Sequence, residues 1–330
     1  MKILFCGESF PEARKQLATL LPDDEILAFP PDELGPHIAE ADVVVPLVTK
    51  VDEAFIRRGT FGLIQQYGVG LETVDIEAAT RNGVRVARVP SEESGNAASV
   101  AEHSILLMLM LSKRWNEIVR TRKQGVQTRW GSPTGQALLG KTVCIVGLGG
   151  IGRELARRLA GFKVRIVTVD DHPGRTVPGV DIARSFPLFG LREAVGEADY
   201  VVLCINYTPD RFHLFGVKEI AAMKKGAFIV NVARGGLLDP VALLAALRTG
   251  RVAGAGLDVF WDEPVDGKHP IFSENVIATP HIAGVTDVSY EGIARAFAEN
   301  MRRYAAGETP LYLANSPDRV RGTGQGPKAS

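Results

Sequence analysis

The fold of this chain is decided by residues 142–170, which read TVCIVGLGGIGRELARRLAGFKVRIVTVD. A short β-rich run leads into Gly147, Gly149 and Gly152, an amphipathic helical pattern follows at once, and a second apolar run ends in an acid. Strand, glycine turn, helix, strand and acid, in this order and spacing, are the fingerprint of a dinucleotide-binding βαβ unit. The stretch therefore predicts a parallel sheet with a nucleotide site at the end of its first strand.

Each glycine of this motif has a mechanical reason. Gly147 lets the chain turn tightly, Gly149 lets a pyrophosphate approach the backbone, and Gly152 lets the helix pack close to the strand. The first helical residues, Gly150 and Ile151, offer unpaired N–H groups and a partial positive charge to the phosphates. The motif thus predicts where a dinucleotide would be held.

The acid at the end of the second strand addresses the choice of cofactor. Asp170 follows Gly152 by eighteen residues and is placed to accept hydrogen bonds from the adenosine ribose hydroxyls. Asp170 and Asp171 together would repel a 2′-phosphate, whereas the nearby Arg175 would attract one. NAD is therefore favoured over NADP.

Composition restricts the partners and the compartment. The 38 basic and 38 acidic residues balance, so no charge footprint points to nucleic acid or an anionic membrane. Cys6, Cys144 and Cys204 each lie in an apolar run and form no C-x-x-C pair, which predicts buried, reduced thiols in a cytoplasmic protein. The first residues, MKILFCGES, are charged too early for a signal peptide, and the apolar run 105–111 is too short for a membrane span.

Strand and helix signals alternate on both sides of the glycine motif, which predicts doubly wound parallel sheets. The predicted strands are 2–6, 25–29, 42–48, 63–67, 84–89, 142–146, 164–169, 200–205, 227–233, 252–259 and 275–278. The predicted helices are 11–21, 32–40, 76–81, 97–122, the one that follows the glycine turn, 191–197, 217–225, 241–248 and 288–306. The polar, Gly-rich segment 316–330 is predicted to be disordered.

Polar residues follow three strands of the second half of the chain. Arg234, Glu263 and His281 come after the strands that end near residues 233, 259 and 278. Because ligands bind outside the carboxyl ends of parallel strands, this spacing predicts that the three side chains surround one cleft. Taken singly, each also fits a structural role: a helix-capping arginine, a surface glutamate and a core histidine.

Together these residue types suit one reaction. Arginine binds a carboxylate through two parallel hydrogen bonds, and histidine transfers a proton near neutral pH. A neighbouring carboxylate orients the imidazole and favours its protonated form. With a hydride carrier, the set predicts the reduction of a 2-oxo acid to a 2-hydroxy acid.

Two strand ends in the first half of the chain are candidate substrate contacts. Val69 and Gly70 lie in the segment YGVG directly after a strand, where backbone N–H groups could bind an anion or simply form a turn. Lys50 lies at another strand end, either as a ligand or as a surface charge.

These motifs resemble those of the D-isomer-specific 2-hydroxyacid dehydrogenases. Besides the glycine motif with Asp170, the matching segments are VARGG at 232–236, DVFWDEP at 258–264, TPHIAG at 279–284, YGVGLETVD at 67–75, SVAEH at 99–103 and TPD at 208–210. The resemblance covers about residues 1–315.

The resemblance implies two Rossmann-like or flavodoxin-like doubly wound parallel-sheet domains with the active site in a cleft between them. Residues 1–95 with 290–315 would form the substrate domain, and residues 96–289 the inserted NAD-binding domain. It also implies a homodimer that assembles through about residues 98–140.

The resemblance assigns roles to individual residues. Arg234 would bind the substrate carboxylate, His281 would protonate the keto oxygen, Glu263 would hold His281 protonated, and Val69 and Gly70 would offer N–H groups. The implied cofactor-binding residues are Gly147, Gly149, Gly150, Ile151, Gly152, Asp170, Ile205, Asn206, Thr208, Ala233, Asp258 and His281.

The chain departs from the family pattern at several positions. Asn206 replaces a usual proline, and Pro46-Leu47 stand where phosphoglycerate dehydrogenases often have Arg-Ser. Glu263 stands where formate dehydrogenases carry glutamine. The main prediction is therefore an NAD-dependent reductase of glyoxylate, hydroxypyruvate or a bulkier apolar 2-oxo acid.

Two alternatives stay open. One is phosphoglycerate dehydrogenase activity, and the other is an NAD-sensing binding protein that resembles the C-terminal-binding-protein corepressors. A metal-dependent enzyme is disfavoured, because the six histidines show no ligand spacing.

Overall fold

The apolar, β-branched runs of the sequence form parallel strands, and most segments between them form helices. The structure, a computed structural model, describes residues 1–125 and 130–321. It divides the chain into two units, one built from Met1–Asn96 and the segment from Thr286 onward, the other from Ala97–Val285. The sequence predicts these boundaries at 95/96 and 289/290.

The elements follow one another in a regular alternation. In the first segment they are β1 (Lys2–Phe5), α1 (Pro11–Leu20), β2 (Glu25–Ala28), β3 (Val43–Val45), α2 (Glu53–Arg57), β4 (Leu63–Gln65), α3 (Ile76–Arg81) and β5 (Arg85–Ala87). In the middle segment they are α4 (Asn96–Ser112), α5 (Trp115–Lys123), β6 (Thr142–Val146), α6 (Gly150–Ala160), β7 (Arg165–Val169), β8 (Ile182–Phe186), α7 (Leu191–Gly196), β9 (Tyr200–Leu203), α8 (Val217–Ala222), β10 (Ala227–Asn231), α9 (Pro240–Arg248), β11 (Val252–Leu257) and β12 (Val276–Ala278). The last helix is α10 (Asp287–Ala305).

The first unit is a parallel five-stranded sheet in the order β2-β1-β3-β4-β5. Successive side chains of a strand point to opposite faces, so Phe5 packs with Phe297 of α10 on one face, and Leu4 with Ile56 of α2 on the other. Both faces are therefore covered, which explains the nearly continuous apolar runs of these strands.

The second unit is a parallel seven-stranded sheet in the order β12-β11-β10-β9-β6-β7-β8. The chain leaves β6 toward β7 on one side and returns through β9 on the other side. The strand order thus reverses between β6 and β9. In a doubly wound sheet, ligands bind at the carboxyl ends of the two strands that flank such a reversal.

One predicted helix, 32–40, is wrong over most of its length. The structure has turns there and only a short 3₁₀ segment, Ile38–Glu40. Pro36 explains this, because proline disfavours helical backbone at the residue before it and donates no backbone hydrogen bond.

The single long helix predicted over 97–122 is two helices. Arg114, between α4 and α5, has a φ of +57°, and the carbonyl oxygen of Ser112 accepts a hydrogen bond from Gln136 N at 2.8 Å. The following loop thus ends α4 by binding one of its last carbonyl groups. Trp115, the first residue of α5, is half exposed.

Sequence reasoning missed α2 and β8 and predicted several strands one to four residues too long. Of the predicted disordered segment 316–330, the structure describes residues 316–321, where Arg321 N donates to the Gly83 carbonyl oxygen at 2.6 Å. Residues 322–330 lie outside the described part. No helix within 1–125 and 130–321 is long and apolar enough to cross a membrane.

Candidate active site

The glycine turn after β6 lies directly against the chain that leaves β9. Gly147 has a φ of +97°, and a Cβ on it would be 2.5 Å from Ile205 N and Cα. A Cβ on Gly152 would be 2.0 Å from the Gly147 carbonyl oxygen. Neither position can accept a side chain without moving backbone. A Cβ on Gly149 would meet no other described atom within 4 Å, so the turn is open where a ligand would approach.

Helix α6 begins at this opening. Gly149 is its N-cap residue, and Gly150 and Ile151 open its first turn, which contains no acidic residue. The first N–H groups of a helix have no intrahelical partner and carry a partial positive charge. The turn and the helix start therefore fit an anionic pyrophosphate group.

Asp170 is buried at the end of β7 and holds the glycine turn. Its Oδ2 accepts a hydrogen bond from Leu148 N at 2.7 Å, and its Oδ1 accepts one from His172 N at 2.9 Å. Arg175 Nη1 lies 3.3 Å from Oδ1. An ionised carboxylate has about four acceptor sites, so part of its capacity remains for a ribose hydroxyl.

A second ionic network joins the loops after β7 and β9. Arg211 Nη2 lies 2.8 and 2.7 Å from the two carboxylate oxygens of Asp171. Arg211 Nη1 donates to the backbone carbonyl oxygen of Asn206 at 3.0 Å and to the side-chain Oδ1 of Asn206 at 2.8 Å. Thr208 Oγ1 and Arg211 Nε are buried without a hydrogen-bond partner among the described residues. Sequence reasoning assigned no role to Arg211; its place three residues after Thr208 was the available signal.

The end of β10 presents Arg234. The buried side chain of Asn231 shapes this turn, since its Nδ2 donates to the Arg234 carbonyl oxygen at 2.9 Å and its Oδ1 accepts from Ala233 N at 3.1 Å. Arg234 Nη1 donates to the Ala233 carbonyl oxygen at 2.8 Å. A Cβ on Gly235 would be 1.9 Å from the Phe260 carbonyl group, so the turn packs tightly against the chain that follows β11.

Glu263 and His281 form a close pair. His281 Nδ1 lies 2.6 Å from Glu263 Oε2, and Phe260 N donates to Glu263 Oε1 at 2.9 Å. Burial opposes ionisation of Glu263, but the bonds from His281 and Phe260 and the charges of His281 and Arg234 hold its pKa below the ordinary 4.5. An ionised carboxylate only accepts, so Nδ1 carries the proton and Nε2 is left for a substrate.

Asp258 is fully buried at the end of β11 and binds the loop that carries His281. Thr279 Oγ1 donates to its Oδ1 at 2.6 Å, and His103 Nε2 lies 2.9 Å from Thr279 Oγ1. Sequence reasoning assigned no role to His103 or Thr279, although both lie in segments that carry the family resemblance, SVAEH and TPHIAG.

The candidate substrate contacts of the first unit surround a buried glutamine. Gln66 Nε2 donates to the Leu47 carbonyl oxygen at 3.0 Å and to the Gly70 carbonyl oxygen at 2.7 Å. It thereby joins the loops that follow β3 and β4. Val69 is half-buried, and Lys50 is exposed with its Nζ 3.6 Å from Asp52 Oδ2.

The structure therefore groups the predicted residues by unit. Arg234, Glu263, His281, Ala233 and Asp258 belong to the carboxyl ends of β10, β11 and β12 in the second unit. Val69, Gly70 and Lys50 belong to the carboxyl ends of β3 and β4 in the first unit.

The three cysteines are buried, as predicted. Burial raises the pKa of the Cys6 and Cys204 thiols to about 12 and that of Cys144 further still. A thiolate is the reactive form of cysteine, so none of the three is suited to nucleophilic catalysis.

Comparison with known proteins places this arrangement in a family. The model of the family described as "D-isomer specific 2-hydroxyacid dehydrogenase, NAD binding domain" matches residues 105–283. The chain is 33% identical over 295 residues to a glyoxylate reductase of Thermococcus gammatolerans, an alignment that covers 87% of this chain and 86% of the relative. It is 34% identical over 292 residues to a D-3-phosphoglycerate dehydrogenase of Methanocaldococcus jannaschii, covering 87% of this chain and 54% of that relative.

Solved structures share the fold over 96% of this chain. A protein of Thermus thermophilus superposes with a TM-score of 0.83 at 30% identity, covering 96% of this chain and 100% of that one. A D-lactate dehydrogenase of Aquifex aeolicus, in complex with NAD and lactic acid, has a TM-score of 0.85 at 23% identity, with 96% and 100% coverage. The chain thus belongs to the D-isomer specific 2-hydroxyacid dehydrogenase family, NAD-dependent oxidoreductases that interconvert 2-hydroxy acids and 2-oxo acids.

Proposed function

We propose that this chain works mainly as a reductase that converts a 2-oxo acid to the D-2-hydroxy acid. The observation that carries the proposal is the 2.6 Å contact between His281 Nδ1 and Glu263 Oε2. This pair lies in the same unit as Arg234 and the glycine turn. A proton donor, a carboxylate-binding cation and a dinucleotide site are the parts that this reaction needs.

The side chains divide the work as follows. Arg234 binds the substrate carboxylate through its guanidinium group, while Ala233 O accepts from Nη1 and orients it. His281 donates the Nε2 proton to the keto oxygen, and ionised Glu263 stabilises the imidazolium that precedes this transfer. NADH, when bound, supplies the hydride that reduces the substrate C2.

We assign the cofactor to residues around the carboxyl ends of β6 and β9. The N–H groups at the start of α6 suit the pyrophosphate, and Asp170 suits the adenosine ribose. Ile205, Asn206 and Thr208 follow β9 at the strand reversal. The Thr208 hydroxyl, which bonds nothing in the part of the chain that the structure describes, supports a ligand contact there. Ala233 and Asp258 would contact the nicotinamide end.

The first unit would supply the remaining substrate contacts. We assign the N–H groups of Val69 and Gly70 to the substrate carboxylate, since Gln66 already binds the Gly70 carbonyl oxygen and holds this turn. Lys50 is a weaker candidate, because its ammonium group pairs with Asp52.

A substrate panel tests the proposed activity. We expect NADH to be oxidised with glyoxylate, hydroxypyruvate, pyruvate, 2-oxoisocaproate or phenylpyruvate. The oxidation is measured as the decrease in NADH absorbance. Phosphohydroxypyruvate should be a poor substrate, because Pro46-Leu47 offer no cation for its phosphate. Preference for phosphohydroxypyruvate would favour the phosphoglycerate alternative. Tight NADH binding without turnover on any member would favour the sensor alternative.

We further propose a homodimer that assembles through about residues 98–140, of which 126–129 lie outside the described residues. This range carries several exposed apolar side chains: Leu106, Trp115, Trp130 and Leu139. Aromatic and aliphatic groups of this size are enriched in the buried cores of interfaces.

The homodimer can be tested by replacing Trp130 with aspartate. Light scattering after gel filtration should give twice the chain mass for the wild type. The Trp130→Asp variant should dissociate at about 30-fold higher concentration, since a tryptophan at an interface hot spot contributes about 2 kcal/mol. Val241→Asp is the control, because it places the same charge on another exposed apolar residue, on α9 and outside this range. A monomeric wild type would contradict the proposal.

A cytoplasmic location is proposed on the basis of the thiols. Cys6, Cys144 and Cys204 are free and buried, which suits a compartment that keeps thiols reduced.

A further inference from the structure

The loop that carries His281 is built on one buried residue, Asp258. His281 N donates to the Asp258 carbonyl oxygen at 2.7 Å. Oδ1 of the carboxylate accepts hydrogen bonds from Thr279 Oγ1 at 2.6 Å and from Ile282 N at 2.9 Å. Oδ2 accepts one from Ala283 N at 3.0 Å. Four hydrogen bonds thus tie the loop to a residue that is only 1% exposed.

These bonds hold His281 in an unfavourable backbone conformation. Its φ is +55°, in the left-handed region that residues with a Cβ rarely adopt. Such a conformation persists only where the surrounding contacts hold it. In this conformation the imidazole meets Glu263 through Nδ1. The orientation of the proton donor therefore depends on the bonds to Asp258.

His103, on α4, extends this network away from His281. Its Nε2 lies 2.9 Å from Thr279 Oγ1 and 3.7 Å from Asp258 Oδ1. The Thr279 hydroxyl proton goes to the Asp258 carboxylate, which only accepts, so Thr279 Oγ1 accepts from His103 Nε2–H. Burial lowers the pKa of His103 despite the charge of Asp258, which agrees with a neutral ring that donates through Nε2.

We propose that His103 and Thr279 are positioning residues, which hold Asp258 and, through it, the left-handed backbone of His281. A chain of donors runs from His103 Nε2–H to Thr279 Oγ1–H to Asp258 Oδ1. It fixes the carboxylate plane to which Ile282 N and Ala283 N also bind. The catalytic meaning of this chain rests on the proposed reductase function.

This network limits how many hydrogen bonds the Asp258 carboxylate can accept from a cofactor. Three of about four acceptor sites of the carboxylate are occupied by Thr279, Ile282 and Ala283. One site on Oδ2 is left for a nicotinamide amide. The main work of Asp258 in this chain is therefore to shape the loop of His281.

The test compares Thr279→Val with Thr279→Ser. Valine keeps the shape but removes the hydroxyl, whereas serine keeps the donor and acceptor. Thr168→Val is the matched control, because Thr168 is buried in β7 of the same unit and its hydroxyl bonds only Ser185 Oγ, at 3.1 Å, among the hydrogen bonds of the described residues. Each variant is measured for glyoxylate and phenylpyruvate reduction, for NADH affinity and for melting temperature.

A second readout needs neither cofactor nor substrate. In cofactor-free protein, the ring proton of His281 that is shared with Glu263 should give a downfield NMR resonance, identified by its absence in His281→Ala. In Thr279→Val and His103→Leu this resonance should shift or broaden. In Thr279→Ser and Thr168→Val it should stay in place.

We expect Thr279→Val to lower kcat by about 10- to 100-fold with little change in NADH affinity. We expect Thr279→Ser to keep most of the wild-type kcat. If Thr279→Val keeps both the resonance and kcat of the control, the proposal is wrong. If it weakens NADH binding and leaves the resonance unchanged, Asp258 acts on the cofactor and the proposal is again wrong. A wild type without turnover on the panel, whose resonance is displaced in Thr279→Val, would refute the reductase function and retain the positioning role.

Discussion

The His281→Ala variant should reduce 2-oxo acids about 10²- to 10⁴-fold more slowly than the wild type. General acid catalysis by a positioned side chain contributes a factor in this range. Among the described residues of the second unit, His281 is the histidine whose ring contacts Glu263. The loss should appear in kcat, because the proton is transferred in the reaction step. Stopped-flow measurement of NADH oxidation under single-turnover conditions checks this directly.

The same proton step gives Glu263→Gln a distinct signature. The pKa of Glu263 is held below its ordinary 4.5, so its carboxylate is ionised at neutral pH and accepts from His281 Nδ1 at 2.6 Å. Reduction by the wild type should therefore slow as the pH falls through the pKa of Glu263. The Glu263→Gln variant has no carboxylate to protonate, so its reduction should already be slow at neutral pH and should lack this acid limb. A variant that keeps the wild-type rate at neutral pH would remove Glu263 from the proton step.

A matched control separates catalysis from general damage. His37, in the first unit, stacks with centroids 3.6 Å apart on the ring of Phe29, the residue that follows the edge strand β2. His37→Ala should keep wild-type kcat. Retention of at least a tenth of the activity in His281→Ala would mean that another group, or water, supplies the proton.

The Arg234→Ala variant should lose the substrate carboxylate contact, at a cost of about 2–5 kcal/mol in kcat/KM, which is about tens- to thousands-fold. Asn231 Nδ2 holds the Arg234 backbone carbonyl, and the Ala233 carbonyl oxygen accepts from Nη1 of the guanidinium group, so the group is already oriented before substrate binds. Arg234→Lys keeps the charge but loses the planar pair of donors, and should recover only a small part of the activity.

Two comparisons make the Arg234 result specific. Arg165→Ala, which removes a surface arginine paired with Glu197 at 2.8 Å, should leave kcat/KM nearly unchanged. An ester or amide analogue of the substrate, which lacks the carboxylate, should react equally slowly with wild type and Arg234→Ala. If Arg234→Ala reduces 2-oxo acids at the wild-type rate, the assigned role is wrong.

Local patterns predicted most of the fold because the relevant forces act over a few residues. The helix Ile76–Arg81 and the strand Thr142–Val146 were predicted at their observed bounds, and the parallel sheets followed from the alternation of elements. The interruption at Arg114 could not be predicted in this way, because Gln136, twenty-four residues after Ser112, binds the last turn of α4. A helix end that depends on a distant partner leaves no local pattern.

The candidate site was likewise predicted only in part. Its chemistry was readable from residue types at strand ends, since parallel strands bring their carboxyl ends to one edge. The supporting residues were not readable: Gln66, His103, Arg211 and Thr279 act through hydrogen bonds to partners up to 176 positions away. A buried polar side chain shows its purpose only when its partner is known.

The sequence by itself determined the class of fold, the glycine turn and the set of groups that the reaction requires, because these depend on local sterics and on residue chemistry. Only the tertiary structure decided how those groups are oriented. The left-handed backbone of His281, the bond from Nδ1 to Glu263 and the burial of Asp258 beneath the loop all arise from contacts between segments far apart in the chain. The free energy that holds His281 in place is supplied by these contacts, so it cannot be read from the residues around it.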